Sequence, residues 1–246
     1  MIIEAINGRP YGLPFLSYIH AGEKMKTIAH IHTNFPEKFG IPRQSGIVDT
    51  PGYIVFEPPY NNPDAVRGLE EFSHIWLIWE FSESKRDDWS PTVRPPRLGG
   101  NTRVGVFASR SPFRPNPIGL SCVELEKIEI DSKLGPVLFV RGADILDGTP
   151  IFDIKPYLPY SEVKIDARGG FAHKVKDDSM KVIFSPEISV SVPAEDFETI
   201  EKLLSQDPRP HYQDDPERIY GMAYKDWEIK FRADEKNITV TFITKR

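Results

Sequence analysis

The chain contains one cysteine, Cys122, among 246 residues. It can therefore form no internal disulfide, and there is no Cys-x-x-Cys pair to hold a structural zinc or act as a redox motif. A reducing cytoplasm is the expected compartment. Long apolar runs are also missing: the most apolar stretch, His74 to Phe81, has the length of a strand and falls well short of the roughly 20 residues of a membrane-spanning helix. The N-terminus lacks the basic-then-apolar layout of a signal peptide. Neither G-x-G-x-x-G nor G-x-x-x-x-G-K-[ST] occurs, since Gly99-Gly100 and Gly169-Gly170 are bare pairs, which argues against a Rossmann cofactor site or a P-loop. No G-x-S-x-G elbow is present, and Ser109, Ser111 and Ser121 have no sequence-visible base. His30 and His32 share a strand face but have no neighbouring carboxylate cluster, so no metal is expected.

Acidic residues are missing from one long stretch. Lys plus Arg total 31 against 36 Asp plus Glu, a net charge of −5, which on average disfavours a nucleic-acid partner. Yet residues Trp89 to Val123 contain no Asp or Glu, where the chain's mean acid frequency would place about five. The same window holds Arg94, Arg97, Arg103, Arg110 and Arg114 with no lysine, and six of the chain's 23 prolines. Arginines on a proline-stiffened segment suit planar, bidentate recognition of phosphate. Trp89, Phe107 and Phe113, interleaved with them, suit stacking on bases.

Elsewhere the pattern is one of short strands between turns. Lys26 to Thr33, Tyr53 to Glu57, Ile75 to Phe81, Arg103 to Ala108, Ser121 to Asp131 and Val137 to Ile145 read as strands. Within Ser121 to Asp131 the apolar phase changes parity, which predicts a β-bulge near Glu126 and Lys127. Asn62-Pro63 can cap a short helix bearing Ala65, Val66, Leu69 and Phe72, and a second helix follows Pro193 with Phe197, Ile200, Leu203 and Leu204 on one face. Glu187 to Val192, Trp227 to Arg232 and Ile238 to Ile243 are further strands, the last two joined by the turn Asp234 to Asn237. Strands without alternating helices predict a mainly β protein, an antiparallel β-barrel. The expected division is an N-terminal extension over 1–25, a barrel domain over 26–165, a linker or excursion over 166–185 and a small C-terminal α+β domain over 186–246. Met25, at the end of the extension, is a candidate start of translation.

The block VFASRSPFRPNPIGLS, Val106 to Ser121, closely resembles the signature of the TsaA-like, TrmO-type tRNA N6-threonylcarbamoyladenosine methyltransferases. IPRQSGI (Ile41 to Ile47), AVRGLEEFSHIW (Ala65 to Trp76), PTVRPPRLGG (Pro91 to Gly100) and LDGTPIFDIKPYLPYSE (Leu146 to Glu162) agree in order and spacing. DPRPHY (Asp207 to Tyr212) resembles the small C-terminal domain of the bacterial members. The resemblance covers about Lys26 to Arg246, and the first 25 residues have no recognised counterpart. It implies a homodimeric antiparallel barrel that uses S-adenosylmethionine without a Rossmann fold. The implied reaction methylates the N6 nitrogen of threonylcarbamoyladenosine next to the anticodon of a threonine-accepting tRNA.

The resemblance also implies a cofactor site made by Gln44, Ser45, Gly46, Ile47, Ser84, Lys85, Arg110, Leu120, Asp147, Gly148, Thr149 and Pro150. Arg110 would meet the cofactor's carboxylate, and Leu120 its adenine. Asp147-Gly148 is also simply a good hairpin turn, and Leu120 a good core residue. The nitrogen to be methylated lies between a carbonyl and a purine, so an acceptor for its proton would help. Asp147, His74 and Asn116 are the candidates, with nothing in the sequence to choose among them. Arg43, Arg103 and Arg114, with Arg209, Tyr212 and Lys225 in the tail, are the expected tRNA contacts. Two alternatives stay open: a methyltransferase of the same fold acting on another substrate, and a non-catalytic RNA-binding barrel.

Overall fold

The computed structural model describes residues 25–84, 88–95, 98, 101–175, 179–209, 215 and 217–246. Six antiparallel strands close into a barrel in the order β1 (Ala29–Thr33), β2 (Pro51–Phe56), β7 (Gly135–Arg141), β6 (Ile118–Asp131), β3 (His74–Glu80) and β8 (Thr149–Pro156), with β8 returning to β1. Period-two alternation builds its core. Ile75, Leu77 and Trp79 of β3 point inward with Val123 and Leu125 of β6, and they meet Ile31, Ile54, Leu138, Val140 and Ile151. The expected bulge is present, since Leu125 pairs with Val140 and Lys127 with Phe139, leaving Glu126 as the extra residue.

Three local expectations are corrected. The segment after Asn62 is two 3-10 turns, Pro63–Val66 and Leu69–Glu71, rather than one helix. Asn62 does cap the first, its side chain accepting from the Asp64 N–H at 3.0 Å, but Gly68 at φ +85° breaks the run. Of Arg103 to Ala108 only Val104–Gly105 (β5) is extended, paired with Thr92–Val93 (β4), and Val106–Ala108 turns into a 3-10 helix. Glu187 to Val192 was expected as a strand and lies largely in a helix, α2 (Pro186–Ser191), because Pro186 sits in the first turn, where its missing N–H costs nothing. A four-residue helix, α1 (Pro159–Glu162), follows β8.

The C-terminal part is a four-stranded sheet in the order β10 (Tyr220–Tyr224), β11 (Trp227–Ala233), β12 (Asn237–Lys245), β9 (Lys181–Ile183), with β9 parallel to β12. β9 therefore draws residues from the stretch read as linker into this sheet. Helix α3 (Ala194–Ser205) buries Ile200, Leu203 and Leu204 against it. The turn between β11 and β12 forms as expected, with Asp234 Oδ1 accepting the N–H groups of Lys236 and Asn237 at 2.7 Å. Among the described residues no helix is long and apolar enough to cross a membrane.

The segment after β1 is seated on this second sheet. Phe35, 1% exposed, packs on Tyr224 and Phe39 on Phe231, with ring centroids 5.9 and 6.4 Å apart. Lys225 N–H donates to the Asn34 carbonyl and Ala223 N–H to Glu37 Oε1, both at 2.9 Å. Gly40, at φ +94°, lies where a Cβ would come within 2.5 Å of Met222, so the chain can approach this closely only without a side chain. Asp196 of α3 fixes the turn beneath, accepting from Lys225 Nζ at 2.6 Å and Trp227 Nε1 at 2.9 Å. Burial opposes its charge, but the bonds from Lys225 and Trp227 and the Lys225 charge outweigh burial and hold the carboxyl below its ordinary 3.8. A depressed carboxyl stabilises the fold above its unfolded pKa and stops doing so as pH falls through the lower folded value. Asp196→Asn should therefore cost about 1–2 kcal/mol at pH 7. In chemical denaturation the difference from wild type should persist down to about pH 4 and shrink below it.

Candidate functional site

A cavity of about 490 Å³ opens at one end of the barrel. Its walls come from the end of β3 (Trp79, Glu80, Phe81), the 3-10 turn Ser82–Ser84, the start of β6 (Ile118, Gly119, Leu120), the loop residues Arg43 and Gln44, the arginine segment (Ser109, Arg110, Pro112, Arg114), and Asp144, Leu146 and Thr149. A second depression, of about 690 Å³, lies against Phe56, Tyr60, Leu69 and Ile154 and contains none of the expected site residues. Chemistry therefore favours the smaller cavity, which combines apolar walls with a few convergent polar groups.

Of the expected cofactor residues, Gln44, Ser84, Arg110, Leu120 and Thr149 meet in this cavity. Leu120 is half exposed, an outward residue of β6 rather than barrel core. Arg110 Nη1 donates to Gln44 Oε1, and Gln44 Nε2 donates to the Arg43 carbonyl. Ser45 and Gly46 stand behind the wall and fasten it: Ser45 Oγ accepts the Cys122 N–H at 3.1 Å, and Gly46 N–H donates to the Gly142 carbonyl at 2.8 Å. Gly46 is at φ +75° and a Cβ on Gly142 would come within 3.2 Å of it, so the two glycines let the loops touch. Ile47, Gly148 and Pro150 lie outside the wall, and Lys85 lies outside the described residues.

None of the three candidate proton acceptors lines the cavity. His74 is an exposed residue at the far end of β3, paired in register with Glu124 and bonded to Ser73 Oγ at 2.9 Å. Five residue steps along the strand, about 16 Å, separate it from Trp79. Asp147 turns away, its Oδ1 accepting the Thr33 N–H at 3.0 Å and facing His32 Nδ1 at 3.3 Å. Asn116 is exposed on the loop before β6. His30, for its part, pairs with Glu57 at 2.9 Å.

The expected tRNA contacts divide. Arg43 and Arg114 line the cavity; Arg43 Nη2 donates to the Asp207 carbonyl, and Arg114 Nη1 to the carbonyls of Ser109 at 2.7 Å and Val106 at 3.3 Å. Arg103 is exposed and donates to Thr92 Oγ1 at 2.7 Å. The guanidinium of Arg114 sits 5.7 Å over the ring of Phe107, which is 73% exposed and 6.4 Å from Trp89. One tail residue is corrected, and a second is engaged in an ion pair. Arg209 is buried and forms a fork with Asp207 at 2.8 and 3.1 Å while donating to the carbonyls of Ala233 and Asp234, a structural role that keeps it from RNA. Lys225 is held by Asp196, whose hydrogen bond raises its pKa against the effect of burial. Tyr212 lies outside the described residues.

One hydrogen-bonded polar chain of the site, Trp79–Ser121–Asp144, was not foreseen from the sequence. Trp79 Nε1–H donates to Ser121 Oγ at 3.0 Å, and Ser121 Oγ–H donates to Asp144 Oδ1 at 2.5 Å. Burial pushes the Asp144 carboxyl above the ordinary carboxylate range, against hydrogen bonds from Ser121, its own N–H and the Ser45 N–H, and against the charge of Arg110. The available signal was an acid set between buried Ala143 and buried Ile145, just ahead of the Asp147-Gly148 turn. Burial and then the Glu162 charge push the thiol of Cys122, next to Ser121, up and away from the thiolate form.

Residues 30–163 match the family described as the tRNA-methyltransferase O N-terminal domain, and residues 177–246 match the TrmO C-terminal domain. The chain belongs to the TrmO family. A protein of Escherichia coli K12 named tRNA (adenine(37)-N6)-methyltransferase is 40% identical over 231 residues, spanning 88% of this chain and 96% of its own. One of the same name from Eikenella corrodens is 52% identical over 165 residues, 67% of this chain and 92% of its own. A crystal structure of TrmO from Pseudomonas aeruginosa superposes with a TM-score of 0.69 at 32% identity, covering 91% of this chain and 99% of that one. Within the TrmO signature block, the glycine of Pro117-Ile118-Gly119-Leu120 has a steric reason. A Cβ at Gly119 would lie 2.2 Å from Cε2 of Trp79. Gly119→Ala should cost about 1–3 kcal/mol in thermal unfolding by forcing the indole aside, with a changed near-ultraviolet circular dichroism signal from Trp79.

Proposed function

We propose that this TrmO-family chain is a tRNA methyltransferase that takes its methyl group from S-adenosylmethionine bound in the 490 Å³ cavity and delivers it to the N6 nitrogen of adenosine 37 carrying a threonylcarbamoyl group. The observation that carries this reading is the convergence, in one cavity, of apolar walls from Trp79, Ile118 and Leu120 with the opposite charges of Arg110 and Asp144. That donor set fits S-adenosylmethionine, whose adenosine is flat and apolar on its faces and whose amino-acid end carries both charges. Bound there, the cofactor supplies an electrophilic methyl on a cationic sulfur.

The chain's own work is then alignment and exclusion of water. Leu120 and Ile118 give the adenine an apolar face, while Arg110, braced by Gln44, is placed to take a carboxylate. The threonylcarbamoyl group adds a second carboxylate, and Arg114 on the same wall suits it. Its bonds to the carbonyls of Val106 and Ser109 fix the guanidinium and leave its charge to act on an anion. The Phe107–Trp89 pair on the rim offers aromatic faces to neighbouring bases. The reading carries with it a threonine-accepting tRNA, a homodimer and a cytoplasmic location.

Incubation of the purified protein with S-adenosylmethionine and a threonine tRNA, with and without its threonylcarbamoyl group, followed by nucleoside mass spectrometry, tests it. The expected product is threonylcarbamoyladenosine heavier by one methyl, formed only from the modified tRNA. Methylation of unmodified adenosine to the same extent would overturn the substrate, and methylation of neither tRNA would overturn the activity.

A further inference from the structure

Asp144 lies outside the cofactor residues expected from the signature blocks, yet it is a largely buried acid facing the cavity. Its orientation is determined rather than incidental. An indole N–H can only donate, so Ser121 Oγ accepts from Trp79 and must direct its own hydrogen to Asp144 Oδ1. The carboxyl is thus fixed as an acceptor at the inner end of the apolar cavity. The donors it meets from Ser121 and the Ser45 backbone are neutral groups. They solvate a charge without cancelling it, and burial still drives the carboxyl toward its protonated form.

Folding does not require that charge. An amide oxygen at the same place would accept the Ser121 hydroxyl equally well, and a buried carboxylate is a net cost unless a cation compensates it. Arg110 is the cation acting on it from the protein, and it is already engaged with Gln44. A cavity wall that offers an arginine for an anion and a desolvated carboxylate close by is matched to a ligand carrying a carboxylate and a cation a few bonds apart.

We infer that Asp144 is the recognition group for a cationic centre of the S-adenosyl ligand, with the Trp79–Ser121 chain as its positioning support. The two cationic centres of that ligand, the α-ammonium and the sulfonium, share this chemistry. The inference rests on the reading of the cavity as the S-adenosylmethionine site.

Calorimetric titration of wild-type protein and Asp144→Asn with three probes tests it. These are S-adenosylmethionine, which has both cations; S-adenosylhomocysteine, which keeps the ammonium and has neutral sulfur; and 5′-methylthioadenosine, which has neither. The variant should bind S-adenosylmethionine roughly 10- to 100-fold more weakly, the loss of one charge-assisted contact, and 5′-methylthioadenosine within about twofold of wild type. Retained 5′-methylthioadenosine binding also shows that the fold and cavity survive. A parallel loss for S-adenosylhomocysteine assigns the ammonium, and its unchanged affinity assigns the sulfonium. Unchanged affinity for S-adenosylmethionine would overturn the inference and, if methylation fell, would move Asp144 to proton acceptance from the substrate nitrogen. An equal loss for all three probes would also overturn it, by making Asp144 a shaping residue, and Asp144→Ser would check that outcome. Failure of wild-type protein to bind any probe would instead sink the cavity assignment.

Discussion

The site depends on one close contact, the indole of Trp79 lying against the backbone of Gly119. The absence of a side chain at 119 lets the ring cross from β3 to β6 at the barrel's end, where its N–H reaches Ser121. The ring is at once barrel core, 6% exposed, and cavity wall. The hydrogen-bond direction that starts at the indole passes through Ser121 to Asp144. Packing in the barrel therefore sets the orientation of a charged group in the cavity, and shifting the ring would disturb wall and carboxylate together.

The C-terminal sheet supplies the other constraint. The cavity's outer lip, with Lys38, Arg43 and Gln44, belongs to the segment between β1 and β2. A loop of that length would be among the less stable parts of a barrel by itself. Here Phe35 and Phe39 are built into the core of the second sheet, and Arg43 donates to the Asp207 carbonyl. The tail thus contributes by holding the lip, and buried Arg209, forked on Asp207, steadies the carbonyl that Arg43 uses.

Much of this was legible in the sequence, for local reasons. The β-rich, apolar run Ile75 to Phe81 gave β3, and the parity change near Glu126 and Lys127 gave the bulge, because a pleated strand has a strict period of two. The resemblance of the signature block implied Arg110 and Leu120 as cofactor residues, and both line the cavity. Misreadings arose where tertiary context decides. Glu187 to Val192 has a strand's composition but begins behind a proline that starts a helix. Arg209 stands in a family motif, and only the fold shows that its donors are consumed internally. Asp147 and His74 are polar residues in family-like blocks that face away from the cavity. Asp144 was passed over because its importance lies in burial and in contacts with residues 79 and 121, neither of which leaves a spacing pattern in the chain.

The central claim is that the methyl donor sits between Leu120 and Arg110 at the end of the barrel. A crystal structure of the full chain grown with S-adenosylhomocysteine tests it most directly. The account predicts ligand density inside the cavity walled by Trp79, Leu120 and Arg110. Density confined elsewhere, such as the depression beside Phe56 and Leu69, would contradict it.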